Sequence, residues 1–175
     1  AGSPQALAQA APGQMVQSLP GQMAPRPTPD ADALADAMRR LGANPRDLSS
    51  LITAGELSLK LGDVNAAASL FKRAENVDPM NGRVKAGMAR ILVTQQRPGE
   101  ALRYFDQATG YGLDPASFAG DRGLAYDLIG EQERAQRDYR AALKRDRNDE
   151  VQRRYALSLG IAGKREARWR IGEGA

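Results

Sequence analysis

The sequence predicts an all-α fold: a solenoid of antiparallel helical hairpins in a right-handed superhelix, preceded by an extended N-terminal tail. Three observations carry this prediction. First, small and aromatic residues recur at a fixed spacing of 34, as Ala67, Ala101 and Ala135, as Phe71, Phe105 and Tyr139, and as Ala74, Ala108 and Ala142. Second, the apolar residues between these marks keep a helical period, and caps, prolines and glycines punctuate them. Third, a chain of 175 residues that is 42% hydrophobic and 26% charged can bury a core, and no apolar run approaches the roughly 18 residues of a membrane span.

Residues 1–29 hold six of the ten prolines, mixed with Gln, Ala and Gly, and such a composition cannot pack a core alone. They read as an extended tail with four apolar anchors, Met15, Val16, Leu19 and Met23, suited to docking on a partner or on the chain's own groove. Ala6-Leu7-Ala8 resembles the small-residue end of a secretory cleavage site, without the hydrophobic region that precedes one. Residues 30–42 form a leading helix, with Asp30 as N-cap, Leu34, Met38 and Leu41 on one face, and Gly42 as the stop.

The repeated part spans 48–175. Asn44-Pro45 introduces the first unit, 48–81, as a cap followed by proline at the first helical position. Within it Leu48, Leu51, Ile52, Leu57, Leu59 and Leu61 lead to Gly62. Asp63 caps the second helix, whose stripe is Ala67, Leu70, Phe71 and Ala74, and Asp78-Pro79 ends it and starts the next. Units 82–115 and 116–148 repeat the plan, and a fourth, 149–175, is truncated. Its turn is expected at Gly163, with a second helix starting at Lys164 that Gly172-Glu173-Gly174-Ala175 cuts short. An array ending there leaves an apolar face uncovered and implies a missing downstream segment.

The recurring pattern has a packing cause. Gly55, Ala89 and Gly123 share one register on the first helices, and two helices approach closely only where side chains are small, with a ring filling the space beside the contact. The chain resembles the tetratricopeptide repeat family over residues 48–170: Ala54-Gly55 and Arg122-Gly123 stand for its Leu-Gly, Gly62, Gly130 and Gly163 for its inter-helix glycine, and Asp78-Pro79 and Asp114-Pro115 for its closing pair. Leu51 and Lys85 replace the family's first aromatic.

Composition disfavours catalysis. With no His and no Cys the chain lacks the commonest general base, the soft metal ligands and a thiol nucleophile, so no catalytic residue, metal site or cofactor is assigned. Gly160-Ile161-Ala162-Gly163-Lys164-Arg165 has two residues between its glycines, lacks Ser or Thr after the lysine and follows a helix, so it reads as a helix turn and not a phosphate loop. Gly110-Tyr111-Gly112 lacks the strand and later glycine of a dinucleotide fingerprint. The acids Asp146, Asp149, Glu131 and Glu133 suit helix starts. Of the 25 Lys and Arg, 12 lie in residues 131–170 against 7 acids, which accounts for the net charge of +4. This basic end suits an acidic protein, anionic lipid or nucleic acid, but nucleic acid is disfavoured because most of the few aromatics occupy core positions and cannot stack on bases.

The resemblance implies a non-enzymatic protein-interaction scaffold whose concave face is lined by the first helices. By register its groove contains Ile52, Glu56, Leu59 and Lys60, then Arg83, Arg90, Val93 and Thr94, then Leu124 and Asp127. Arg83 and Arg90 lie two turns apart and suit an acidic or carboxylate-bearing ligand, or else pair with Glu56 or Asp127 across the groove. In chaperone-binding members a Lys and an Asn grip a peptide carboxylate. Ile52 and Glu56 stand at those positions, which argues against a co-chaperone.

Four stretches, 83–88, 100–106, 121–127 and 134–139, further resemble the repeat region of bacterial envelope proteins that carry a peptidoglycan-binding SPOR domain, and TadD-type assembly factors of Tad/Flp pili. This resemblance implies a periplasmic or outer-membrane-associated scaffold. The alternative is a cytoplasmic adaptor or regulator whose basic final units meet an acidic partner or nucleic acid.

Overall fold

The structure is a computed structural model that describes residues 28–172, with side chains described for 28–166. The four tail anchors Met15, Val16, Leu19 and Met23 lie outside the described residues. Among the described residues eight α-helices follow one another: α1 (Pro29–Ala43), α2 (Leu48–Lys60), α3 (Val64–Val77), α4 (Gly82–Thr94), α5 (Pro98–Gly110), α6 (Ala119–Leu128), α7 (Gln132–Arg145) and α8 (Asp149–Gly172). A single 3-10 turn, Pro115–Ser117, precedes α6, and no strand occurs among the described residues.

Each helix packs on the next, and the pairs α2/α3, α4/α5 and α6/α7 are the hairpins of three repeat units. First helices also touch one another, α2 with α4, α4 with α6 and α6 with α8, whereas α3, α5 and α7 make no mutual contact. The layer whose helices touch is the inside of the curve, so the first helices form the concave wall. Helix α1 packs only on α2 and occupies the register of a second helix, 34 residues ahead of α3.

The core confirms the small-residue logic. Phe71 is fully buried between two helices: a Cβ added at Gly55 would sit 2.9 Å from its ring, and one at Gly87 only 2.3 Å. Gly123 is held equally close to Tyr139, at 2.8 Å. Phe105 instead stacks on Phe118 with ring centroids 4.8 Å apart. One ring per unit thus locks its hairpin, and Phe71 also holds the first helix of the following unit.

The boundaries differ from the sequence expectations for identifiable reasons. Thr28 and not Asp30 caps α1, its side chain accepting from the Ala31 amide at 3.3 Å with Pro29 in the first helical position. Gly42 lies inside α1, which ends at Asn44, because the residue before Pro45 is pushed out of the helical region to φ −135°, ψ 94°. Asp78 before Pro79 does the same at φ −141°, ψ 94°. Neither proline opens a helix. Each sits in a turn two or three residues ahead of it, and the N-caps are Asp47, which accepts from the Ser50 hydroxyl, and Asn81, whose side chain accepts from the Arg83 and Val84 amides. Asp146 sits not at a helix start but at the C-cap of α7, and Asn148 accepts from the first amides of α8.

The largest correction concerns Gly163. The turns inside the three hairpins fall at Gly62, Gln96 and Gly130, 34 residues apart, with φ of 87°, 60° and 83°. Each is closed by a bond from the following amide to a carbonyl five residues back: Asp63 to Ser58, Arg97 to Leu92 and Glu131 to Tyr126. The next position in this register is Lys164. Gly163 falls one residue early, and α8 runs straight through Gly160 and Gly163 as one helix of 24 residues.

Candidate protein-interaction face

The concave wall is built from α2, α4, α6 and α8, and its charges are mostly tied to one another. Lys60 binds Asp30 of α1 at 2.8 Å. Arg83 of α4 binds Glu56 of α2 at 2.8 Å. Arg90 of α4 reaches Asp121 of α6 at 2.8 Å and the Ser117 carbonyl at 3.3 Å. Arg154 of α8 approaches the other oxygen of Asp121 at 3.6 Å. From α2 to α8 the wall therefore alternates in sign: acidic Glu56, basic Arg83 and Arg90, acidic Asp121, basic Arg154.

Of the two cross-groove pairings the sequence allowed, Arg83 with Glu56 forms and Arg90 with Asp127 does not. Successive first helices meet with a stagger, so partners lie short of the 34-residue repeat: Glu56 and Arg83 are 27 residues apart and Arg90 and Asp121 31, whereas Asp127 lies beyond reach of Arg90. Asp127 obeys the same rule: Ser158 of α8, 31 residues later, donates to it at 2.7 Å, and the Tyr139 hydroxyl donates to its other oxygen at 2.8 Å. Burial, then the hydrogen bond to this carboxylate, pushes the Tyr139 hydroxyl far above the ordinary phenol range. Asp127 thus joins α6, α7 and α8.

The remaining predicted groove positions separate by exposure. Ile52 and Val93 are buried in the seams between helices, at 3% and 4% exposure, Leu59 and Leu124 are half-buried, and Thr94 and Lys60 are exposed. Arg83, Thr94 and Lys60 with the edges of Glu56, Leu59, Leu124 and Arg90 make up the accessible wall. Arg90 ends in a cleft of about 290 Å³ lined also by Asp121, Arg145, Asp146, Glu150 and Arg154. Its acids and bases balance, and Arg145 is held by Asp114 at 2.8 Å. No group of three or more His, Cys, Asp or Glu side chains able to hold a metal occurs among the described residues.

Sequence reasoning missed Asp121, Arg154 and a buried ion pair behind the wall. Lys85, in the place of the family's first aromatic, is 8% exposed and bonds Glu75 of α3 at 2.7 Å. Its ammonium also lies 5.5 Å from the centre of the Tyr104 ring on α5. Hydrogen bonds from Lys72 and Lys85 hold the Glu75 carboxyl below its ordinary range in spite of its burial. Behind unit three, Arg122 grips Asp138 with two bonds of 2.7 and 2.8 Å. Asp121 lies 31 residues after Arg90, a stagger that the 34-residue spacing alone does not give.

Family models for the tetratricopeptide repeat match residues 58–119 and 116–149. Among solved structures the chain is similar to TTC0263, a thermophilic TPR protein in Thermus thermophilus, at 20% identity and TM-score 0.58, over 74% of this chain and 73% of that one. It is also similar to two structures of MamA protein, at 18% and 16% identity and TM-scores 0.55 and 0.51, over 79% and 77% of this chain and 74% and 89% of those chains. No curated protein is significantly similar in sequence. The matched models, the eight helices and the shared fold lead to one conclusion: residues 58–149 are tetratricopeptide repeats, and the chain has the all-α fold of that family.

Proposed function

We propose that the chain is a non-enzymatic scaffold of a bacterial envelope assembly, pilus, secretion or cell-wall associated, that holds an extended segment or helix of a partner protein along its first-helix wall. Tetratricopeptide repeats indicate a protein-interaction scaffold. The observation that carries the groove is the unbroken contact of α2, α4, α6 and α8, which offers one continuous face of alternating sign to a partner of mixed charge. The likeness of four short stretches to envelope repeat proteins supports the compartment, and the tail anchors Met15, Val16, Leu19 and Met23 supply a second docking element.

Affinity capture from envelope and cytosolic bacterial extracts tests this, with captured proteins identified by mass spectrometry. Arg83→Glu is the variant to use, because Arg83 is half exposed and holds only Glu56, whereas Arg90 also supports the α4 to α6 contact. The expected result is an envelope partner captured by the full chain and lost with Arg83→Glu. Loss on removal of residues 1–29 instead assigns binding to the tail.

A second reading rests on the outer face of α7, where Arg137, Arg140 and Lys144 are exposed. There the chain is a cytoplasmic adaptor for an acidic partner. Capture from cytosol alone, weakening steeply between low and high salt, selects it.

A further inference from the structure

Helix α8 is the last described helix, and one flank of it carries large apolar residues in solvent: Leu157 is 68% exposed and Ile161 48%. Its opposite side is used. Val151 fills the space over Gly120, Ser158 bonds Asp127, Tyr155 lies 6.2 Å from the Tyr139 ring, and Arg165 reaches the Gly130 carbonyl at 3.3 Å. The occupant expected from the repeat plan, a second helix of the same unit, does not fit this flank. Leu157 stands in the register of Gly55, Ala89 and Gly123, where a ring from the second helix enters, and its side chain fills that space.

The flank is a regular stripe. Glu150, Arg153, Leu157, Gly160 and Lys164 follow one another at spacings of three and four, with Ile161 four beyond Leu157, and so share one side of the helix. The stripe is acidic at its start, apolar at its centre and basic at its end. An antiparallel copy centred on Leu157 therefore sets Leu157 against Leu157, Glu150 against Lys164 and Ile161 against the aliphatic stem of Arg153. Gly160, with nothing within 4 Å of an added Cβ, leaves room for the axes to approach. A parallel copy sets like charges against one another at both ends.

We infer that this flank of α8 is a self-association surface, taking a second copy of the same chain in an antiparallel, two-fold arrangement that covers Leu157 and Ile161. The inference is separable from the scaffold reading, because of the concave wall it uses only Glu150, which also pairs with Arg154 and lines the Arg90 cleft.

Sedimentation equilibrium of the full chain tests it, with thermal melts to confirm that each variant stays folded. The expected result is a reversible dimer with Kd on the order of tens of micromolar, the regime of a small interface. Leu157→Glu, at an exposed position, should leave Tm unchanged and weaken dimerisation at least about 30-fold, since it buries two facing carboxylates. Glu150→Lys and Lys164→Glu should each weaken it about tenfold by reversing two symmetric pairs, and the double variant should restore it. A monomer at all concentrations up to about 1 mM, a dimer indifferent to Leu157→Glu, or singles that weaken without rescue in the double each overturn the proposal. A dimer lost on removing residues 1–27 and kept with Leu157→Glu overturns it in favour of the tail.

Discussion

The α2/α3 hairpin and helix α8 begin alike, with a polar cap and a first helix laid against its predecessor, yet one turns back and the other runs straight. Two positions separate them. Where α2 has Gly55 and then Gly62 at φ 87°, α8 has Leu157 and Lys164 at the same places in the repeat. The first change closes the slot that receives a ring, and the second removes the residue type that adopts a left-handed turn without strain. Because Gln96 makes the same turn in unit two at φ 60°, the filled slot at Leu157 is the difference that separates straight helix from hairpin, and the apolar periodicity common to both regions does not distinguish them.

The comparison breaks most severely at the ring. Phe71→Ala should destabilise by about 3–5 kcal/mol in chemical denaturation, because it empties a slot shared by three helices. Leu157→Ala, on the solvent side of α8, should stay within about 0.5 kcal/mol in the same assay. Gly87→Ala should cost about 1–3 kcal/mol through overpacking against Phe71, offset by up to about 1 kcal/mol of helix propensity.

The buried tie between units one and two sharpens the contrast next. Replacing Glu75 by Gln should cost about 1–2 kcal/mol near neutral pH, where Lys85 loses its charged partner. Because the Glu75 carboxyl is held below its ordinary range, its contribution is full above the unfolded carboxylate value, about 4.3, and fades as the pH falls through the lower folded value. Urea melts of the two proteins should therefore differ at pH 7 and converge on acidification. The smallest effect is a difference in sign. Gly130→Ala should destabilise by about 1–2 kcal/mol, because φ there is 83°, and Gly163→Ala should stabilise by about 0.5–1 kcal/mol as a helical position in open space. Loss of stability at Gly163 would restore a turn at that residue.

Where the repeat is regular, the sequence was legible. Ala67, Phe71 and Ala74 and their counterparts are buried at the positions their 34-residue spacing assigned, save Ala142, which is partly buried, because a close helix crossing admits few residue types. Helix ends were less legible, since Asp30 and Thr28 are both acceptable caps and only the location of Pro29 in the first turn separates them. Gly163 misled because a glycine near a turn position resembles a turn glycine unless its register is counted. On the concave wall, exposure could not be read from register alone: Ile52 and Val93 are covered by the neighbouring first helix, and Asp127 is drawn into bonds with two other helices. Pairing across that wall needed the stagger between parallel helices, which repeat spacing by itself does not contain.

The separation of the outer helices has a mechanical consequence. With α3, α5 and α7 out of contact with one another while the inner helices are stitched by ion pairs, the array is a hinged strip, stiff along one edge and slack along the other. Pulling on its ends changes its curvature before it opens any ring slot, because flattening loads the inner stitches first. Its compliance should accordingly rise with salt, as the exposed pair Glu56 with Arg83 and, less strongly, the partly buried pair Asp121 with Arg90 are screened while Phe71, Phe105 and Tyr139 stay seated.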